Sequence, residues 1–128
     1  MNYLCVNYVW IALGAIAGAS ARYFLSLLIA RNFPSAFPYG TLLINVSGSL
    51  LVGFFLVFST ERVLLEPRWR VLVVIGFCGS YTTFSSYAFE SFALIEQGQW
   101  LLTGINIVVS NVFCLAAVLG GAALARGL

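Results

Sequence analysis

Residues 76–90 read Gly76-Phe77-Cys78-Gly79-Ser80-Tyr81-Thr82-Thr83-Phe84-Ser85-Ser86-Tyr87-Ala88-Phe89-Glu90, inside an apolar run that extends from Val71 to Ile95. The flanks are too apolar for a water-exposed loop, yet the centre makes poor helix. Two glycines precede the hydroxyl side chains of Thr82, Thr83, Ser85, Ser86 and Tyr87. Ser and Thr offer the backbone hydrogen bonds that compete with a helix. Irregular backbone at membrane depth survives only where protein buries it or it lines a cavity. The stretch therefore predicts a membrane helix broken near its middle, with carbonyls freed for a cation and hydroxyls for an anion. The competing reading is an unbroken helix that carries its Ser and Thr on packing faces. Phe84 and Tyr87, three residues apart, project to similar sides.

Working outward, three more apolar segments appear, at 4–29, 41–58 and 100–124, beside this one at 71–95. The gaps hold Arg31 to Gly40 with two prolines, the charged stretch Glu61 to Arg70, and Glu96-Gln97-Gly98-Gln99. Each has Pro, Gly or charge where a helix should stop. A span needs roughly 20 apolar residues, so the 128 residues hold four spans in one domain. The expected fold is all-α, with four transmembrane helices.

The composition leaves little room for another class. Hydrophobic residues make up 62% and charged residues 8%, with a mean hydropathy of +1.02. A soluble domain carries about 25% charged residues. Nucleic-acid binding needs a density of basic charge that six Arg and no Lys do not provide. Without His or Asp, hydrolytic catalysis lacks its usual base, and no enzyme is expected. Cys5, Cys78 and Cys114 are scattered, which speaks against a zinc site or a disulfide framework. The N-terminus lacks the basic start of a signal peptide. With a cytoplasmic N-terminus, Arg62, Arg68, Arg70 and Arg126 fall on one side, and Arg31 and Arg22 on the other. That bias is small under the positive-inside rule, and insertion in both orientations is compatible with it.

Polar residues away from the ends of a span are costly unless partnered or wetted. In the first span Gly14, Gly18, Arg22 and Ser26 recur every four residues. They read as a small-residue packing seam with a snorkelling Arg22, or as a seam leading to an arginine that draws anions into a vestibule. Thr41, Asn45, Gly48 and Ser49 share a face of the second span. Asn45 serves either as interhelical glue or as a donor lining a path. Thr103, Asn106, Ser110 and Cys114 form a ladder on the fourth span, either a packing face or the wall of a narrow hydrophilic path.

These motifs resemble the Fluc/CrcB fluoride channel family. The resemblance rests on Gly14-Ala15 through Arg22-Tyr23, on Pro38-Tyr39-Gly40-Thr41-Leu42 with Asn45 and Gly48, and on Gly76-Phe77-Cys78-Gly79, Thr82-Thr83-Phe84-Ser85 and Glu90. It covers nearly the whole chain. It implies a passive, fluoride-selective channel in the plasma membrane (the inner membrane where there are two) that exports the anion from the cytoplasm. It further implies an antiparallel, dual-topology dimer with a structural Na⁺ at its centre, held by the backbone carbonyls of Gly79 and Thr82. By motif position the fluoride path takes Asn45, Phe84, Tyr87, Ser85, Ser86 and Ser110, with Thr41 and Glu90 near its continuation and Arg22 at a vestibule. The chain departs from the family pattern at Ser80-Tyr81, where the family has Gly-Leu, at Tyr87, where it has Phe, and at Ala88, where it has Ser. Asn106 stands where the family often has an aromatic and receives no role. The departures leave a heterodimer with a paralogue open beside the homodimer.

Two rival readings remain at this point. A small proton-coupled multidrug transporter also has four short spans, but it needs an embedded carboxylate early in the chain, and the first two spans have none. A non-conducting membrane subunit would use every polar stripe as a packing seam.

Overall fold

The computed structural model describes residues 3–128, with side chains from Leu4 onward. Every regular element among the described residues is helical, and four of the helical stretches are long and apolar enough to cross a membrane. Helix α1 spans Tyr3–Asn32. The turn through Pro34 and Pro38 leads into α2, Tyr39–Val57, which continues as a wider π-wound turn over Phe58–Arg62. The third span opens with the short α3, Pro67–Arg70, its proline at the first turn where no N–H is needed. It continues π-wound over Val71–Cys78 and ends its first part in α4, Gly79–Tyr81. Thr82 and Thr83 are extended, and α5 runs over Phe84–Glu96. The fourth span is α6, Trp100–Gly127.

The turn between α5 and α6 is short because Gly98 takes a left-handed conformation, φ 71°. That lets Gly98 N–H donate to Ile95 O at 2.9 Å and Gln99 N–H to Leu94 O at 2.8 Å, the paired bonds of a Schellman motif.

The spans associate through small residues, because lipid tails give apolar helices no hydrophobic reason to prefer one another. Helix α1 packs against Val71–Tyr81 and α2 packs against α6. A methyl on Gly14 would lie 2.2 Å from Leu72 O, and one on Gly18 2.2 Å from Phe77 O. The Gly14/Gly18 seam is thus a backbone-to-backbone approach to the third span, with Gly76 facing Ile11 O from the other side. On the second pair, Gly53 faces Val118 O and Gly121 faces Leu50 O.

Adjacent glycines on α6 give a direct test of this packing. A methyl at Gly121 would meet Leu50 O at 2.1 Å, whereas one at Gly120 meets nothing within 4 Å. Gly121→Ala is expected to destabilise the fold by about 1–3 kcal/mol, the usual cost of overpacking. Gly120→Ala should leave the detergent melting temperature unchanged or raise it. Equal melting temperatures for the two variants would refute the close approach of α2 and α6.

Arginines tie the helices together at the end of the bundle where α6 finishes. Arg62 donates to the carbonyls of Ala125 (3.2 Å) and Arg126, capping α6. Arg126 in turn forks onto Glu61 at 3.0 and 3.1 Å. Nearby, Arg68 pairs with Glu66 and lies 5.9 Å from the Trp10 ring, which packs on Trp69. In the loop, the hydrogen bond from Arg68 holds the Glu66 carboxyl below its ordinary pKa, so this acid stays ionised.

Candidate functional site

The site is organised by Thr83, the N-cap of α5, whose N–H turns away from its helical partner while its carbonyl opens the α5 ladder. In a continuous helix its N–H would donate to Gly79 O. Here Thr83 N–H donates to Asn45 Oδ1 at 2.8 Å, and Asn45 Nδ2 donates back to Thr83 O at 3.0 Å. The Asn45 side chain thereby replaces the helical acceptor of the Thr83 N–H and adds a second donor to the Thr83 carbonyl, which as the N-cap C=O also takes the first bond of α5. Thr83 Oγ1 accepts from Ser86 N–H at 3.1 Å, which caps α5 in the usual N-cap manner, and donates to Ser86 Oγ at 3.0 Å. Ser85 Oγ lies 3.3 Å from the same atom.

These bonds have two consequences. The helical donors for Gly79 O and Thr82 O are Thr83 N–H and Ser86 N–H, and both are committed elsewhere. Two carbonyls of the junction thus lose their helical partners. Two donors also remain on the inner surface. Asn45 uses one of its two amide hydrogens, and Ser86, accepting from Thr83, keeps its own hydroxyl hydrogen.

Three clefts share walls around this junction. The first, about 400 Å³, is lined by Asn45, Ser49, Thr83, Phe84, Tyr87 and Ser110, among others. Its aromatic wall is the Phe84–Tyr87 pair, with centroids 5.4 Å apart and planes at 54°. Phe84 is 78% exposed. The third cleft, about 230 Å³, touches the first at Thr83 and brings together Arg22, Ser26, Thr41, Ser86 and Glu90. The second, about 340 Å³, lies beneath the α1–α2 turn and shares Ser26, Thr41 and Glu90 with the third. At that shared wall Thr41 Oγ1 donates to Glu90 Oε1 at 2.7 Å. Glu90 Oε2 is buried and has no hydrogen-bond partner among the described residues.

The residues expected at a site therefore fall into two groups that meet at Thr83. Asn45, Phe84, Tyr87 and Ser110 surround one cleft, and Arg22, Thr41, Ser86 and Glu90 the next. Ser85 is exposed and lines none of the three. Gly79 and Thr82 contribute backbone at the junction, and Thr82 also lines the first cleft. Asn45 makes its interhelical bonds and lines a cleft at once, so its two readings do not exclude each other.

Two residues gain a place that the sequence did not assign them. Asn106, 1% exposed, donates to Ser91 Oγ at 3.0 Å and accepts from Ser110 Oγ at 3.2 Å. Asn111 donates to the Tyr87 hydroxyl at 3.4 Å. The ladder spacing of Thr103, Asn106 and Ser110 was the available signal for the first. For the second the only hint was the Phe-to-Tyr departure at Tyr87.

Four apolar spans enclosing clefts with amide, hydroxyl and a few charged side chains on their walls define a multi-pass membrane protein. The family model described as "CrcB-like protein, Camphor Resistance (CrcB)" matches residues 9–122, and the chain belongs to this CrcB family. Among curated relatives, a protein of Koribacter versatilis (strain Ellin345) named "Fluoride-specific ion channel FluC" is 55% identical over 95% of this chain and 97% of its own. A protein of the same name from Roseiflexus sp. (strain RS-1) is 43% identical over 94% of this chain and 98% of its own. A third, from Methylococcus capsulatus (strain ATCC 33009 / NCIMB 11132 / Bath), is 48% identical over 92% of this chain but only 52% of its own.

Proposed function

We propose that this chain forms a fluoride-selective passive channel that exports the ion across the plasma membrane. The observation that carries the reading is the run of clefts with shared walls at Thr83 and at Thr41/Glu90, lined by amide and hydroxyl groups with Arg22 and Glu90 on the walls farther from Asn45. The names of the relatives support it. Fluoride is small and strongly hydrated, so stripping its water must be offset by several close donors. Asn45 and Ser86 have hydrogens to give and carry no fixed charge, which keeps binding weak enough for the ion to leave. The positive edges of aromatic rings let Phe84 and Tyr87 act as a further weak station. Arg22, on the neighbouring cleft, adds attractive potential for an anion on its approach. The path residues on the cleft walls are Asn45, Phe84, Tyr87, Ser86 and Ser110, continuing at Thr41 and Glu90, and Ser85, which lines none of the three clefts, would join them only through its contact with Thr83 Oγ1.

The working unit in this reading is an antiparallel, dual-topology dimer, a homodimer or a pairing with a paralogue. The exposure of Phe84 beside an open cleft supports a second chain as the missing wall. The near-even distribution of arginines supports insertion in both orientations. The extended Thr82–Thr83 backbone is read as the functional break of the third span. A structural Na⁺ fits the chemistry of this break, since Gly79 O and Thr82 O are hard oxygen ligands whose helical donors are engaged elsewhere. When bound, the ion would offset the negative ends of these carbonyl dipoles.

The test is efflux from proteoliposomes made with the purified chain alone. Fluoride should leave far faster than from empty vesicles, and chloride no faster than from empty vesicles. Fluoride efflux equal to that of empty vesicles would end the proposal. Uptake of a lipophilic cation driven by a pH gradient would favour the transporter reading, which lacks its early carboxylate here.

A further inference from the structure

The geometry points to Asn106 as a positioning residue that sets the direction of the Ser110 hydroxyl, an inference that rests on the fluoride-channel reading. The argument is a count of hydrogens along four linked groups. Ser91 Oγ lies 2.8 Å from Tyr87 O, a carbonyl that can only accept, so Ser91 spends its one hydrogen there. Ser91 must then accept from Asn106, which fixes the amide with Nδ2 toward Ser91 at 3.0 Å. The opposite amide orientation would bring a lone pair against a lone pair. Asn106 Oδ1 is thereby turned to Ser110, whose hydroxyl donates to it at 3.2 Å. All three side chains are buried, Asn106 almost completely.

Ser110 thus lines the first cleft with its hydrogen pointed away from it. A resting wall that withholds this donor holds an anion less tightly than the residue type suggests. Asn106 limits how deep the binding well at Ser110 becomes, and so keeps release fast.

The test compares Asn106→Leu and Ser91→Ala with the parent chain in proteoliposomes, measuring fluoride flux against fluoride concentration. Leu keeps the bulk of Asn106 without an acceptor. Ser91→Ala removes the group that fixes the amide, lies outside the cleft lining, and is a small truncation that should fold even if Asn106→Leu does not. Asn106→Leu should lower the half-saturating fluoride concentration about five-fold, the size of one neutral hydrogen bond gained by the ion, and Ser91→Ala, which frees the amide to turn, should lower it about two-fold. Maximal flux per active channel should fall as well. Damage to packing alone would reduce maximal flux and leave half-saturation in place, and that result overturns the positioning role. A parent chain that conducts while both variants match its half-saturation also overturns it, leaving the channel reading intact. A parent chain without fluoride flux overturns both.

Discussion

Replacing Phe84 by Ile should reduce fluoride throughput by roughly two orders of magnitude, about 2.7 kcal/mol of added barrier, while the protein still folds. Both parts follow from where the ring sits. Phe84 is 78% exposed in the single chain, at the first position of α5, so little intrachain packing is lost with it. Its neighbour across the cleft wall is Tyr87, with ring centroids 5.4 Å apart. An anion between donor groups needs something weakly positive to touch as it leaves one and reaches the next, and a ring edge supplies that where an aliphatic branch does not. The measurement is fluoride efflux from liposomes, with elution volume on size exclusion as the check on assembly. Parent-like efflux would remove Phe84 from the pathway. A shifted elution profile would instead assign the ring to the contact between chains.

Asn45→Leu should be the most damaging single change to the fold. The substitution is nearly isosteric, yet it leaves the N–H and the C=O of Thr83 without the partners they have at 2.8 and 3.0 Å. The unpaired Thr83 N–H costs about 1–3 kcal/mol and the carbonyl, which keeps its α5 bond, loses a bond worth about 1 kcal/mol, so the expected loss is about 2–4 kcal/mol. The protein should melt at markedly lower temperature in detergent and show no fluoride flux. A melting temperature equal to that of the parent would mean that these two bonds contribute nothing to holding the third span to α2.

The four apolar helices were legible in the sequence because lipid imposes a one-dimensional rule: long uncharged runs separated by Pro, Gly or charge. The seam at Gly14 and Gly18 was legible for a related reason, since small residues four apart mark where a helix permits close approach. The partner of that approach was not. Spacing names a face of a helix but not the carbonyl it will meet, here Leu72 O and Phe77 O. The same limit explains Asn106. Its place in a ladder with Thr103 and Ser110 was visible, but its bond to Ser91 depends on the α5–α6 turn bringing residues 15 apart in the chain side by side. The π-wound stretches at Phe58–Arg62 and Val71–Cys78 left no mark that composition could reveal. The two clefts meeting at Thr83 likewise depend on the extended pair Thr82–Thr83, and a list of hydroxyl residues cannot say on which side of such a pair each one falls.

Thr83 is tied at its amide, its carbonyl and its hydroxyl by five hydrogen bonds that involve side chains. A shutter placed there would have to break them together. This junction is therefore a fixed fitting without a handle. A cell using it would regulate the leak by dosage, through how many copies it makes and keeps.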